Sequence, residues 1–153
     1  MAKYEIVDGV GIIPKGVTAI GDYAFEDCTS LARVIIKEGV TEIEDGAFSG
    51  CSALQELTLP KSLTSIGAGA FSGCSSLTEI DIPYLDSTSK SAFGSCTSLV
   101  RATIGEGVTQ VADGLFYGCT ALRYVYIPST AKWLGHGVFM NADALETLEY
   151  GGT

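Results

Sequence analysis

The feature that most limits what this chain can fold into is a pattern, Phe-x-x-Cys-x-x-Leu, that returns at nearly constant spacing. Phe stands at positions 25, 48, 71, 93, 116 and 139, so the successive intervals are 23, 23, 22, 23 and 23 residues. Cys follows three residues later at 28, 51, 74, 96 and 119, with Ala142 in its place in the last copy. Leu follows three further on, at 31, 54, 77, 99, 122 and 145. A unit this short cannot bury its own hydrophobic residues, and stacked copies can, so a period in this range marks a solenoid of repeats. With 153 residues and 46% hydrophobic content, the chain is expected to form one ordered domain.

Inside each period the apolar residues alternate as they do on short strands. Leu54, Leu57 and Leu59 run up to Pro60, and the matching sets are Leu31-Val34-Ile36, Leu77-Ile80-Ile82, Leu99-Ala102-Ile104, Leu122-Val125-Ile127 and Leu145-Leu148-Tyr150. Parallel stacking of these segments is expected to give one main sheet, with strands about 4.8 Å apart. The pairs Val17/Ile20, Val40/Ile43, Leu63/Ile66, Val108/Val111 and Ala131/Leu134 suggest a second, weaker ladder on another side of the coil. Between that ladder and the Phe, Asp22, Asp45 and Asp113 hold a place suited to capping a single helical turn, while Ala68 and His136 hold it in other copies.

Two stretches depart from the repeat. Tyr4 to Val7 followed by Asp8-Gly9 read as a strand and turn, so residues 1–13 are expected to cap the N-terminal end, with about six repeats over 14–150 and a tail at 151–153. Residues 83–92 are one residue short and carry polar residues where the other copies have Ile-Gly, which breaks the second ladder. A surface loop absorbs a deletion of this kind readily, so the bland reading is preferred to a functional loop.

Charge and cysteine usage narrow the function. Nine Lys and Arg against eighteen Asp and Glu leave a net charge of −9, which repels phosphate backbones and anionic membrane surfaces, so no nucleic-acid partner is expected. The N-terminal residues lack an apolar run of signal-peptide length, no stretch is long and apolar enough for a spanning helix, and the chain as given is expected to be soluble. Five Cys is an odd number, spaced too evenly for a CxxC metal site or a secreted disulfide knot.

The combined arrangement, L-x-x-[LVI]-x-[IL]-P…[VL]-x-x-I-G…A-F-x-x-C-x-x-L, resembles the BspA-like leucine-rich repeats of bacterial and protist surface proteins, over about residues 10 to 150. The resemblance implies a right-handed leucine-rich-repeat coil, here a β-rich α/β solenoid with a parallel main sheet, a second strand ladder and short helical turns. It also implies an extracellular or cell-surface, non-enzymatic module for protein binding or adhesion, and it supplies no catalytic set. The Asn usual three positions after the strand is absent, with Gly39, Ser62, Gly107 and Thr130 there, as that subfamily leads one to expect.

Each candidate site has a plainer role beside it. The Cys column is read as core packing, because Cys packs as a small hydrophobe, Ala142 replaces it once, and stacked Cβ atoms about 5 Å apart exceed the roughly 3.8 Å of a disulfide. The single histidine, His136, shares its column with aspartates at a turn and has no converging acid–base set, so no catalysis, metal or cofactor is expected. The residues between the core positions of the strands vary freely, and toward the C-terminal end they bring Arg101, Arg123, Tyr124 and Tyr126 to one face. Tyr with Arg is enriched where partners bind, and solenoids use such faces, so these four residues are the candidate site for a protein or glycan ligand. Their plainer role is aromatic support of a sheet end. The alternative function is a structural or assembly domain of a larger surface or virion-associated chain. The final coil offers only Gly151-Gly152-Thr153 to cover it, so the chain is expected either to be cut from a longer protein or to cover that end by self-association.

Overall fold

In the computed structural model, which describes residues 4–151, the chain is a stack of short coils built from 13 strands. Along one side run β1 (Ile6–Val7), β2 (Val10–Gly11), β4 (Arg33–Ile35), β6 (Glu56–Thr58), β8 (Glu79–Ile82), β9 (Arg101–Ile104), β11 (Tyr124–Ile127) and β13 (Thr147–Tyr150). A second side carries β3 (Ala19–Ile20), β5 (Glu42–Ile43), β7 (Ser65–Ile66), β10 (Gln110–Val111) and β12 (Trp133–Leu134). Apart from the β1–β2 hairpin, every pairing is parallel and joins equivalent residues of successive coils, as Val34↔Leu57 and Val125↔Leu148 show.

The third side is the Phe-Cys turn. Phe25, Phe48, Phe71, Phe93 and Phe116 are fully buried; the first four stack at 4.9, 5.1 and 5.1 Å between ring centroids, and Phe116 lies 6.3 Å from Phe93 with its ring tilted by 33°. Burying each ring is worth about 1.5–3 kcal/mol, and each shares its contacts between two coils. At the N-terminal end the hairpin turns through Asp8 and Gly9, both at positive φ, and Tyr4 stacks on Phe25 at 5.3 Å where a preceding Phe would lie.

The expected helical turns are not there: no helix forms among the described residues, so the fold is a β-solenoid and not α/β. The hydrogen bonds give the reason. Through the turn, Ala47, Ser49 and Cys51 N–H donate back within the coil to Glu44, Gly46 and Phe48, whereas Gly46, Phe48 and Gly50 N–H donate to Ala68, Ala70 and Ser72 of the next coil. With every second N–H committed to a neighbour, a continuous i→i−4 ladder cannot close. This zigzag needs positive φ two residues before and after each Phe, at Gly46/Gly50, Gly69/Gly73 and Gly114/Gly118, and glycine takes that conformation without a steric penalty.

The aspartates cap, but across coils. Asp22 Oδ1 accepts the Asp45 N–H at 3.1 Å, Asp45 Oδ1 the Ala68 N–H at 2.8 Å, and Asp113 Oδ1 the His136 N–H at 2.8 Å. At two of the three receiving positions the preceding residue is a Gly that this approach requires, since a Cβ on Gly67 would lie 2.5 Å from the Asp45 backbone N and one on Gly135 2.5 Å from the Asp113 backbone N.

The expected single main sheet is divided. Strands β1-β2-β4-β6 form one sheet and β8-β9-β11-β13 another, and β6 and β8 exchange no ladder bonds. The second ladder is likewise split into β3-β5-β7 and β10-β12, as the short coil at 83–92 leads one to expect. A coil one residue shorter than its neighbours cannot stay in step with them on every side. On the turn side it does stay in step, for Gly69, Phe71 and Gly73 N–H still reach Lys90, Ala92 and Gly94. Inside the short coil, Leu85 fills the core column of Val40, Leu63 and Val108, while Ser89, fully buried, donates its Oγ–H to Ile66 C=O at 2.7 Å.

Candidate functional site

The outward face of β9, β11 and β13 is set by parallel register, which lines up Arg101 with Tyr124 and Thr103 with Tyr126. Val125 and Ala102 point inward and are fully buried, so the period-2 alternation sends the flanking residues out. Two of the four expected site residues meet directly. The Arg101 guanidinium lies over the Tyr124 ring at 4.1 Å from its centroid, a cation–π contact, and Tyr126 is next but one on the same strand. Arg123 sits one residue before β11 and turns away from that pair, with Nη2 3.0 Å from both carboxylate oxygens of Glu146.

Carboxylates tie down the phenols. Tyr124 O–H donates to Glu149 Oε2 and Tyr126 O–H to Glu106 Oε1, each at 2.6 Å. Both phenols are pushed above the usual tyrosine range, chiefly because those hydrogen bonds hold the proton in place. The cluster is therefore an ordered surface of half-buried rings and exposed cations whose side chains lose little freedom on meeting a partner.

The fissure between β6 and β8 adjoins this face. It is a groove of about 690 Å³ whose lining includes Leu57, Leu59, Lys61, Glu79, Asp81 and Arg101. Leu57 and Leu59 are half-buried here, whereas Val34, Ile36, Ile80 and Ile82 in the same columns are buried. Register pairs Glu79 with Arg101 as the sequence suggests, yet among the described residues Glu79 forms no ion pair, because Arg101 is drawn onto Tyr124. Arg33 and Glu56 do meet, at 3.5 Å. The groove was not legible as a site in the sequence; its one trace is the 22-residue interval between Phe71 and Phe93.

The other candidates stay plain. Cys51, Cys74, Cys96 and Cys119 are fully buried free thiols, and each Sγ lies 3.0–3.4 Å from the carbonyl oxygen of the Phe one coil back. Burial pushes the Cys51 thiol up to about 12 and Cys74 higher still, so neither is a nucleophile near neutral pH. His136 is exposed at its turn and held through its backbone, the N–H donating to Asp113 Oδ1 and the C=O accepting from Gly114 N–H. Among the described residues no group of three or more His, Cys, Asp or Glu is placed to hold a metal ion, and no helix is long and apolar enough to cross a membrane.

Residues 11–111 match the sequence profile of the BspA type leucine rich repeat region, in six copies. Among solved structures, a leucine-rich repeat protein from Bacteroides ovatus is 35% identical over 90% of this chain and 36% of its own, with a TM-score of 0.80. A leucine rich cell surface protein from Faecalibacterium prausnitzii is 34% identical over 95% of this chain and 33% of its own, with a TM-score of 0.67. The T. pallidum leucine rich repeat protein is 25% identical, covering 94% of this chain and 87% of its own, with a TM-score of 0.61. The chain thus spans about a third of the length of the first two. Among curated proteins, none matches.

Proposed function

From the premise that this chain belongs to the BspA type leucine-rich repeat family, we propose that it is a non-enzymatic module that binds a protein partner at a cell surface through the exposed face of its main sheet. One observation carries this reading. The Arg101–Tyr124 stack, with Tyr126 beside it, forms an ordered, partly exposed cluster next to a groove that leaves Leu57 and Leu59 half uncovered. Rings and an Arg beside uncovered apolar surface are the composition of a binding centre, and Arg123 paired with Glu146 forms its polar rim. The surface location rests on the relative from Faecalibacterium prausnitzii, described as a cell surface protein.

The test is an array of purified extracellular proteins probed with the parent chain and with Tyr124→Ala/Tyr126→Ala. Binding that falls at least tenfold in the double variant, about 1.4 kcal/mol, with an unchanged melting point supports the reading. Binding that survives the double variant removes the site from this face.

A second reading, assembly through the C-terminal coil, is favoured by Leu134, Met140, Leu148 and Tyr150, all about half exposed, and by the outer edge of β13, which pairs with no described strand. Phe139 still stacks on Phe116 at 6.1 Å, so Leu148→Lys is the cleaner probe of that end. Light scattering that shows a concentration-dependent oligomer in the parent and a monomer in Leu148→Lys supports assembly; a parent that stays monomeric excludes it.

A further inference from the structure

The gap in the second ladder leaves hydrogen-bond donors without protein partners. In the intact coils Glu42 and Glu44 N–H donate to Thr18 and Ile20 at 3.2 and 2.9 Å, and Ser65 and Gly67 N–H donate to Thr41 and Ile43 at 3.2 and 2.8 Å. The equivalent N–H groups, on β10 and on the residue just after it, belong to Gln110 and Ala112. Facing them is the short coil, whose Ser89 is turned toward Ile66 instead, and among the described residues none accepts from either N–H. A notch of about 420 Å³ opens there, walled by Ser87, Lys90, Gln110, Asp113 and Trp133 with Gly135 at its edge.

Trp133 is the second observation. It is the only tryptophan of the chain and is 70% exposed, in a column that elsewhere holds Ala19, Glu42, Ser65 and Gln110. The fold gains little from an indole left in water. Lys90 makes no ion pair among the described residues. Asp113 spends Oδ1 on the His136 N–H, leaving Oδ2 to accept from a ligand.

A ligand for this notch must present a flat apolar face to the indole and, around its edge, oxygens that accept from N–H and ammonium groups and hydroxyls that donate to a carboxylate and an amide. A pyranose does both, with C–H groups on its face and hydroxyls at its rim. An aliphatic side chain would cover Trp133 but leave the donors unmet, which costs about 1–3 kcal/mol per buried group. From the short coil across β10 to β12 is two coil spacings, about 10 Å, enough for a sugar ring and its linkage. We propose that the notch between residues 87–90 and Trp133 is a glycan-binding site, separate from the main-sheet face, that stacks a pyranose on Trp133 and binds its hydroxyls through Lys90, Asp113, the Gln110 amide and the free backbone N–H groups of Gln110 and Ala112.

Because Trp133 is the single tryptophan, its emission reads the site directly. The full chain is titrated to about 10 mM with β-1,4-linked tetrasaccharides of glucose, N-acetylglucosamine and mannose. At least one should shift the emission saturably, with a Kd on the order of 0.1–1 mM. Calorimetry should then show at least about tenfold weaker binding for Trp133→Ala and for Lys90→Ala, and unchanged binding for Tyr124→Ala/Tyr126→Ala. Trp133 is exposed, so the Trp133→Ala melting point should match the parent and exclude unfolding as the cause. Emission that none of the three sugars moves, or sugar binding that survives Trp133→Ala, overturns the proposal.

Discussion

The turn side and the strand side of this solenoid meet the same short coil and respond differently. On the turn side the hydrogen bonds continue through the junction and the Phe71–Phe93 spacing stays at the 5.1 Å of the preceding pair. On the strand side both ladders part, leaving a groove on one face and a notch on the other. The difference shows where cohesion lies. Turn coils interlock through buried rings, thiols and alternate N–H groups, whereas each strand contributes two to four residues whose outer edge water can satisfy. A one-residue deletion is therefore relieved on the strand side, and surfaces available to ligands appear there.

The comparison is broken most directly by emptying the turn side. Phe71→Ala, at the last ring before the short coil, is expected to lower stability by about 3–5 kcal/mol in chemical denaturation, because rings on both sides lose their contact. A loss under about 1 kcal/mol would mean that the strands, not the rings, bind the coils together.

Alkaline titration tests the thiols of the same side. Cys51 rises from an ordinary 9.0 to about 12 on folding, so the unfolded chain releases its proton first. Its contribution is complete below pH 9 and is lost as the pH climbs toward 12. Melting points should fall over that window by more than those of Cys51→Ala, and the four buried thiols should alkylate slowly in the native chain at neutral pH but react once it is unfolded.

Smaller changes sharpen the contrast at the short coil itself. Ser91 and Ser95 hold positive φ of 52° and 55° where the coils on either side have Gly, a strained choice for a residue with a Cβ. Ser91→Gly is expected to stabilise by about 0.5–1 kcal/mol, the relief exceeding the added freedom of the unfolded chain. On the strand side, Tyr124→Ala/Tyr126→Ala should cost less than about 1 kcal/mol, since both rings lie on the outer face and their hydrogen bonds are solvent-exposed. A large loss there would give the cluster a supporting role rather than a binding one.

Much of this architecture was legible because it is written repeatedly. A column such as Phe25 to Phe139 states the same packing requirement in each copy, and the alternation Leu54-Leu57-Leu59 names the inward face of a strand wherever it recurs. The capping role of Asp45 is legible in its place before the Phe, but its target is not, since sequence spacing points to local partners whereas its acceptor serves the next coil. The helical turns failed for the same reason: local propensity counts hydrogen bonds within a segment, and here every second N–H leaves it.

The sequence by itself determined the stacking unit, the register, the core columns and the place where the array is irregular, because each follows from hydrophobic periodicity that any parallel stack must satisfy. What only the tertiary structure decided is how the irregularity is distributed. A missing residue in 83–92 does not say which side will open; that depends on the relative strength of three lateral contacts, and the ring stack is the strongest. It likewise decided that Arg101 would leave Glu79 for the face of Tyr124, and that Trp133 would stand over unpartnered N–H groups. Such choices are settled between neighbouring coils, where distances and competing partners matter and spacing along the chain carries no information.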